Sequence, residues 1–328
     1  MEELNLIGKE QAAQSVYASI KAGRLSHAVM ITGDKGIGKS VFADYVCKML
    51  LCECKEKPCG SCIPCSKIQK GIHPDIFKIY PAGKSETIGV HEIEIVKRNL
   101  YVKPNDANCK VFIIYNADRM NRFAQNAMLK MIEEPPEDSY FVFTCQNSQS
   151  LLPTVRSRLT GIALSPAPIE AVKAELKKRL PELSEPALVR AAERSCGNIG
   201  VALELAEDGE LSRIYDDIDR IAKAVCDRDR AILCLELGKY SKKKENALRL
   251  VELLKLTFRD VCAVSAGSSE LLSGCAAAAE RLGAVCGGKA ALEAMDACDS
   301  FLSAVRGNAN LALSLAAFEI ALGDAIRR

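Results

Sequence analysis

The sequence predicts an α/β domain with a parallel sheet, followed by a second half that is all helical. Three short apolar runs in the first half, Ala28–Thr32, Val111–Tyr115 and Phe141–Thr144, alternate with helical patterns. Apolar strands of this kind are typical of a parallel sheet that is buried on both faces. From about Ser165 the composition shifts to Ala, Leu, Glu and Lys with helical periodicity. A chain of 328 residues is long enough for two or three domains.

Proline and glycine mark the boundaries within this chain. Pro166 and Pro168 interrupt the pattern after the last predicted strand, and the segment 197–200 (Gly-Asn-Ile-Gly) indicates a loop between helices. We therefore predict an α/β domain over residues 1–165. A small helical domain over 166–207 and a larger helical domain over 208–328 complete the chain.

A phosphate-binding loop follows the first predicted strand. Residues 33–40, Gly-Asp-Lys-Gly-Ile-Gly-Lys-Ser, match G-x-x-x-x-G-K-[ST], and apolar residues then recur with helical spacing from Val41 to Leu50. The order strand, loop, helix is the context that the motif requires. Its glycines let backbone N–H groups surround phosphate, its lysine reaches the terminal phosphates and its hydroxyl binds Mg²⁺. We predict a pocket for ATP or ADP with Mg²⁺, and the alternative is a vestigial loop. The predicted nucleotide-binding residues are Gly33, Gly36, Gly38, Lys39 and Ser40.

The strand Val111–Ile114 lacks the acidic pair that ATP hydrolysis normally requires. In a competent phosphate-loop ATPase an aspartate there supports Mg²⁺ and a second group orients the attacking water. Here the strand ends in Tyr115-Asn116, and Asp118 is predicted to be a helix cap or turn residue rather than a displaced ligand. Loss of a general base costs roughly 10²–10⁴ in rate. We expect the chain to hold nucleotide with negligible hydrolysis of its own.

A cluster of cysteines predicts a structural metal site. Cys59, Cys62 and Cys65 follow one another at x₂ spacing, and Cys52 or Cys54 just upstream supplies a fourth thiol. Four thiolates close the tetrahedral shell of Zn²⁺ and leave no position for a catalytic water. We predict structural zinc in a module near residues 52–65, with Cys52 taken as the fourth ligand and Cys54 as the open alternative. An iron–sulfur cluster, or no metal, are the rival interpretations.

Bulk composition predicts the compartment but not the ligand. The net charge is +2 and the isoelectric point is about 7.8, so no global field indicates nucleic-acid binding, although a local basic face is compatible with it. The chain has fifteen cysteines and no N-terminal stretch with the features of a secretory signal. No window approaches the ~18 apolar residues of a membrane helix. We expect a cytoplasmic protein without a membrane partner.

Several short motifs together carry a family resemblance. They are Leu25-Ser26-His27-Ala28 before the phosphate loop, the four-cysteine insert, Asn126–Lys130 running into Glu133-Glu134-Pro135-Pro136, and Arg156-Ser157-Arg158. With these motifs the chain resembles the bacterial DNA polymerase III clamp-loader subunits of the AAA+ superfamily. The match is densest over residues 1 to about 205.

The resemblance implies an architecture and a set of partners. It implies a AAA+ nucleotide-binding module over 1–165 with a helical lid over 166–207, and a helical collar over 208–328 that serves oligomerisation. Segment 308–313 resembles the end of such a collar. The implied partners are gamma/tau and delta subunits, and through the complex the sliding clamp and primed DNA during replication. Direct contact of Asn121–Lys130 with DNA phosphate is a further expectation.

Within this family, the departures indicate the non-hydrolysing delta-prime type rather than the gamma/tau type. Tyr115-Asn116 replaces the acidic pair, Gly200 stands where gamma/tau carries a nucleotide-sensing arginine, and the chain given ends at Arg328 without the long gamma/tau extension. The intact phosphate loop favours the gamma/tau type. An ATPase motor of the gamma/tau type is therefore the first alternative. A zinc-stabilised nucleic-acid-binding scaffold outside clamp loading is the second.

The resemblance also implies a catalytic residue that acts in trans. Arg158 matches the arginine of the family's Ser-Arg-Cys motif, which reaches the ATP of the adjacent subunit, and Leu159 replaces the cysteine. An arginine finger neutralises charge on the transferred phosphoryl group. Arg156 is a weaker candidate for a phosphate or neighbour contact. For Glu133 and Glu134 we expect a role in turn geometry or in a subunit contact rather than as a general base.

Overall fold

The computed structural model describes residues 6–83, 86–207, 209–268 and 271–327. They fall into two compact units, of which the first ends at Ala171 and the second begins at Val172. The strands are β1 (Ala28–Thr32), β2 (Ile76–Ile79), β3 (Lys110–Ile114), β4 (Ser139–Cys145) and β5 (Thr160–Ala163). The helices that lie within the first unit are α1 (Glu10–Lys21), α2 (Lys39–Leu51), α3 (Ile63–Gln69), α4 (Val90–Leu100), α5 (Arg122–Glu133) and α6 (Pro153–Arg156).

The five strands form one parallel sheet in the order β2-β3-β4-β1-β5. The fold class predicted for the first half is confirmed. Because all strands are parallel, their carboxyl ends meet at one edge of the sheet, which is where ligands bind in open α/β folds. The phosphate loop leaves β1 at this edge, between the neighbouring strands β4 and β5.

Alternation along the strands places apolar side chains on both faces of the sheet. One face, with Phe112 and Phe141, packs with Val96 of α4 and Met128 of α5 in a single core cluster. The other face, which includes Ile31, belongs to a second cluster with residues of α1 and α2. The result is a three-layer α/β/α arrangement that fixes the strand ends, and with them the loops that carry the candidate site.

The sequence identified the central strands and missed two outer ones. β1 has the predicted bounds, β3 is shifted by one residue so that Tyr115 follows it, and β4 extends beyond Phe141–Thr144 at both ends. β2 contains Lys78 within its apolar run, and β5 is an edge strand with mostly exposed residues. Neither therefore shows the continuous apolar pattern of a fully buried strand.

The second unit is helical, as predicted from its periodicity. Its helices are α7 (Ile169–Arg179), α8 (Glu185–Arg194), α9 (Ile199–Glu207), α10 (Gly209–Cys226), α11 (Arg230–Gly238), α12 (Lys244–Ser265), α13 (Ala276–Gly283), α14 (Gly288–Arg306) and α15 (Leu311–Arg327). α12 packs against α13 and α14, with Leu254 and Phe258 in the core. The loop predicted at 197–200 is shorter than expected, because α9 already begins at Ile199. No helix in the described part of the chain combines the length and apolar character of a membrane span.

The division of the helical half into two domains stays a prediction. The structure divides the chain only into two units, between Ala171 and Val172, and this division does not test the predicted boundaries at 165 and 207. The predicted ends at residues 1 and 328 and the predicted start of the last domain at 208 lie outside the described residues.

A buried carboxylate fixes the segment between α4 and β3. Asp75, fully buried, accepts hydrogen bonds from the backbone N–H groups of Asn105 (2.6 Å), Asp106 (2.8 Å) and Ala107 (3.0 Å). The Asn105 side chain donates a further bond of 3.0 Å. Burial alone would raise the pKa of Asp75, but these donors outweigh it and the net pKa is lowered.

Asp75→Asn is expected to destabilise the first unit by about 3 kcal/mol, because the amide leaves buried donors without their anionic acceptor. A lowered folded-state pKa contributes stability above the unfolded value of about 3.9, and this contribution is lost as the pH falls through the folded-state pKa. Urea unfolding at pH 7 and at acid pH measures both effects. Asp106→Asn is the matched control, since Asp106 forms only a partly exposed ion pair with Lys67. Equal unfolding midpoints for the two variants would contradict this account.

Candidate functional site

The phosphate loop has the backbone geometry that phosphate binding requires. Gly38, the N-cap of α2, has φ +100°, and Gly36 has φ +87°. These left-handed values favour glycine. A side chain at Gly33 (φ +153°) would place its Cβ 2.9 Å from Ile37 Cγ2. The loop therefore depends on its glycines to direct the N–H groups of the first turn of α2 toward an anion.

Lys39 lies inside this loop. Its side chain is buried, and Nζ donates to the carbonyl oxygens of Gly33 (2.7 Å) and Asp34 (2.8 Å). Burial lowers the pKa of Lys39, and the nearby charges of Asp118 and Asp34 partly offset this effect. The ammonium group thus stands where phosphate oxygens would replace the loop carbonyls as hydrogen-bond acceptors.

Neutral groups occupy the end of β3, where an ATPase carries carboxylates. The Tyr115 ring is buried and stacks on Tyr80 with a centroid distance of 4.7 Å and an interplanar angle of 7°. Burial raises the pKa of Tyr115, so the phenol is uncharged at neutral pH. Asn116 (φ +51°) donates its backbone N–H to Thr144 Oγ1 at 3.0 Å. Neither position offers an anionic ligand for Mg²⁺ or a general base.

Asp118 lies closer to the phosphate loop than its spacing in the sequence indicated. It sits in a short 3-10 helix, Ala117–Arg119, whose N-cap is Asn116, and its Oδ1 accepts the backbone N–H of Gln146 at 3.0 Å. Its charge acts on Lys39 and, after burial as the larger cause, raises the pKa of Cys145 to about 12. Asp118 is the middle residue of this short helix, whereas the sequence predicted a helix cap or a turn residue. Its electrostatic proximity to Lys39 arises from the pairing of β4 with both β3 and β1, which no local pattern reveals.

Four cysteine sulfurs converge at the end of α2 and the start of α3. The Sγ atoms of Cys52, Cys59, Cys62 and Cys65 all lie within 4.8 Å of one another. Cys52 and Cys62 are separated by 3.8 Å between sulfurs. Four thiolates about 2.3 Å from a shared Zn²⁺ stand about 3.8 Å apart. The donor set therefore fits one tetrahedral ion, whereas an iron–sulfur cluster places inorganic sulfide and several irons between its cysteines.

The surroundings of the cluster act on its thiols in opposite directions, since burial raises the pKa of Cys65 whereas hydrogen-bond donors lower the pKa of Cys59. The backbone N–H groups of Cys62 and Ser61 lower the pKa of Cys59 to about 5. Cys52 and Cys65 are buried, which shields one side of the group from solvent. Cys54, the alternative fourth ligand, is exposed and interacts with Cys59 from outside the group of four.

Arg158 is held at the protein surface by a carboxylate. Its Nε lies 2.6 Å from Glu133 Oε1, and its Nη1 donates to the Thr154 carbonyl oxygen at 2.7 Å. The side chains of Arg158 and Glu133 are 39% and 40% exposed. Arg156 instead donates to the Gln149 side chain. The sequence did not indicate this partner of Glu133, and the expected role of Glu133 in turn geometry or in a subunit contact stays a prediction.

A buried glutamine positions the segment that carries Arg158. Gln125 of α5 accepts the backbone N–H of Leu152 at 2.6 Å through Oε1 and donates to the Met120 carbonyl at 3.0 Å through Nε2. Leu152 is the N-cap of α6, the helix that precedes Arg158. α5 thus fixes this segment at its start through Gln125 and at its end through Glu133.

The sheet places Arg158 and the phosphate loop at opposite edges. β5 starts at Thr160, just after Arg158, and runs parallel to β1, whose carboxyl end leads into Gly33. Four residues of strand span about 13 Å. Glu133 likewise precedes the amino end of β4. The candidate residues therefore form two separate sites on the first unit, and Arg158 does not face the loop of its own chain.

A parallel sheet in this order, with a phosphate loop after β1 and a helical unit that follows in the chain, defines the AAA+ class of P-loop proteins. A family model described as DNA polymerase III, delta subunit, matches residues 8–168. The delta′ subunit of DNA polymerase III from Bacillus subtilis (strain 168) is 28% identical over 261 residues, which cover 78% of each chain. The chain is thus similar to clamp-loader subunits of the AAA+ type that belong to DNA polymerase III.

Two further relatives show that this family contains more than one kind of subunit. The delta′ subunit of Escherichia coli (strain K12) is 32% identical over 194 residues, 58% of each chain. The gamma subunit of Buchnera aphidicola subsp. Schizaphis graminum (strain Sg) is 30% identical over 208 residues, 62% of this chain and 56% of the relative. The chain spans less than two thirds of the length of these two relatives.

Proposed function

We propose that this chain is a clamp-loader subunit of the delta-prime type that keeps a nucleotide pocket without hydrolysing ATP and supplies Arg158 to a neighbouring subunit. The observation that carries the proposal is the separation of the two sites. The pocket formed by the phosphate loop has neutral Tyr115 and Asn116 beside it. Arg158 lies at the opposite edge of the sheet, about 13 Å of strand away. A guanidinium there serves a phosphate only if another chain brings that phosphate to it.

The proposed partners are gamma/tau and delta subunits, with which the chain forms a ring that loads the sliding clamp on primed DNA. Relatives named delta′, gamma and tau subunits of DNA polymerase III support membership in such a complex. In it the chain acts as a stator, because Tyr115 and Asn116 stand where an ATPase carries its acidic pair. The second, helical unit, α7 to α15, is the proposed source of the lid and of the oligomerisation collar.

The proposed cofactors are one structural zinc ion and a nucleotide with Mg²⁺. Cys52, Cys59, Cys62 and Cys65 would hold the zinc, whose bonds tie the end of α2 to α3 and complete no catalytic site. Nucleotide, when bound, would lie against the N-terminus of α2, with Lys39 on its terminal phosphates and Ser40 as the Mg²⁺ ligand. In this arrangement the nucleotide stabilises the subunit without being consumed.

Lys39→Ala is expected to weaken binding of Mg²⁺·ATP to the purified chain at least tenfold, because a charge-assisted hydrogen bond contributes about 1.5–3 kcal/mol. Fluorescent-nucleotide titration measures the affinity, and Lys35→Ala, at an exposed lysine of the same loop, is the matched control. Wild-type protein is expected to bind nucleotide with negligible steady-state hydrolysis.

The same assay separates the alternatives. Appreciable hydrolysis that Lys39→Ala abolishes would identify a motor of the gamma/tau type and contradict the stator role. Co-purification with gamma/tau and delta from the same organism tests membership in the complex. Failure to assemble with them would favour the zinc-stabilised nucleic-acid-binding scaffold.

A further inference from the structure

The position of Glu133 is unfavourable for the helix that carries it. Glu133 is the last residue of α5, and the backbone N–H of the C-cap residue Glu134 donates to Lys130 O there. The C-terminus of a helix carries partial negative charge, so an acidic side chain at this end is unfavourable, whereas a basic one would stabilise the helix. The presence of a carboxylate at this position therefore needs an explanation outside α5.

The ion pair with Arg158 does not supply that explanation through stability. Both side chains are about 40% exposed. Ion pairs with this exposure contribute little to stability, and the unfavourable helix position of Glu133 offsets that contribution. The ion pair instead restricts the orientation of the Arg158 side chain. An unrestrained arginine would lose many rotamers when it binds a phosphate.

The contacts of Arg158 restrict one side of the guanidinium. Nε is bound to Glu133 and Nη1 to the Thr154 carbonyl. Nη1 also donates to Ser157 Oγ at 3.4 Å. A guanidinium has five N–H donors in a rigid planar fork, so these three bonds leave two donors for an acceptor that approaches from outside. The side chain is 39% exposed, which leaves this approach open. Arg158 can thus keep its bonds within the protein and still contact a phosphate.

We propose that Glu133 is a positioning residue that holds the Arg158 guanidinium in the orientation in which it meets the phosphate of the adjacent subunit. This inference rests on the proposed function and names the group that makes Arg158 effective. Glu133 touches neither nucleotide nor reacting atoms. It acts only through Nε of Arg158, by reducing the number of orientations that the guanidinium adopts.

The test uses the complex reconstituted with gamma/tau and delta subunits and measures hydrolysis at the site beside this chain. Glu133→Ala is expected to lower kcat about tenfold with KM for ATP unchanged, as misplacement of a catalytic group does. Glu133→Gln is expected to recover most of the rate, because its amide oxygen still accepts from Nε. Glu134→Ala, at the exposed neighbouring carboxylate, is the matched control and should leave the rate unchanged.

A double-variant cycle with Arg158→Ala separates this inference from the proposed function. In the Arg158→Ala background, Glu133→Ala is expected to cause no further loss of rate. A further tenfold loss there would show that Glu133 acts elsewhere and would overturn the inference. If Arg158→Ala lowers the rate and Glu133→Ala does not, the positioning role alone is wrong. If Arg158→Ala has no effect, the proposed function itself fails. The melting temperature and the assembly of the complex are measured for each variant, because they identify a loss of rate that misfolding causes. Such a loss would count against the inference.

Discussion

Arg158→Ala is expected to slow ATP hydrolysis at the neighbouring subunit's site by about 10³-fold while leaving assembly of the complex intact. An arginine finger stabilises charge that develops on the transferred phosphoryl group, and its removal costs about 10³–10⁵ in rate. Because Arg158 is a partly exposed surface residue, its loss should not unfold the first unit. The effect is measured by pre-steady-state phosphate release from the DNA-bound complex. The amplitude of phosphate release that the neighbouring subunit's site contributes should disappear.

Two variants control this experiment. Arg156→Ala removes a guanidinium two residues away that donates to Gln149, and it should leave the amplitude unchanged. Arg158→Lys keeps the charge but loses the planar fork, so it should restore only part of the rate. Full activity of Arg158→Ala would rule out the trans-acting role.

Loss of the zinc ligands is expected to have the largest effect on stability. Purified chain should contain one equivalent of zinc, and Cys65→Ser should lose the metal and destabilise the first unit by about 4 kcal/mol or more, the range seen when a structural metal is lost. Cys65 is fully buried and belongs to α3, so a zinc ion held by Cys65 and Cys52 would connect that helix to the end of α2. Elemental analysis and urea unfolding, with and without a chelator, measure both quantities.

Cys54→Ser is the matched control, since Cys54 is an exposed cysteine within two residues of a proposed ligand. It should keep its zinc and its unfolding midpoint. The ligand set would be wrong if Cys54→Ser lost the metal while Cys52→Ser retained it. Iron with acid-labile sulfide in the purified protein would favour the cluster interpretation instead.

Local sequence patterns were sufficient for part of the candidate site. The phosphate motif, the strand before it and the helix after it lie within about 25 consecutive residues, so spacing and periodicity predict them together. Tyr115 and Asn116 are equally local, because the end of an apolar strand is visible in the sequence. The structure adds that the Tyr115 phenol is buried and neutral.

Contacts between distant segments were not predictable in this way. Glu133 and Arg158 are separated by 25 residues and meet because α5 and α6 both end near the amino edge of the sheet. The influence of Asp118 on Lys39 likewise depends on the pairing of β1, β3 and β4. No periodicity encodes such pairs, since strand order is set by packing of the whole unit.

By itself, the sequence determined the fold class, the phosphate loop, the missing acidic pair and a cysteine group typical of a metal site. These are properties of residues close together in the chain, where backbone geometry and side-chain period are fixed locally. Only the tertiary structure brought the sulfur of Cys52 rather than Cys54 into the group of four. Only the parallel register of β1 and β5 placed Arg158 at the far edge from Gly33. Both outcomes depend on how the folded chain brings distant backbone segments together, and a linear pattern does not contain that information.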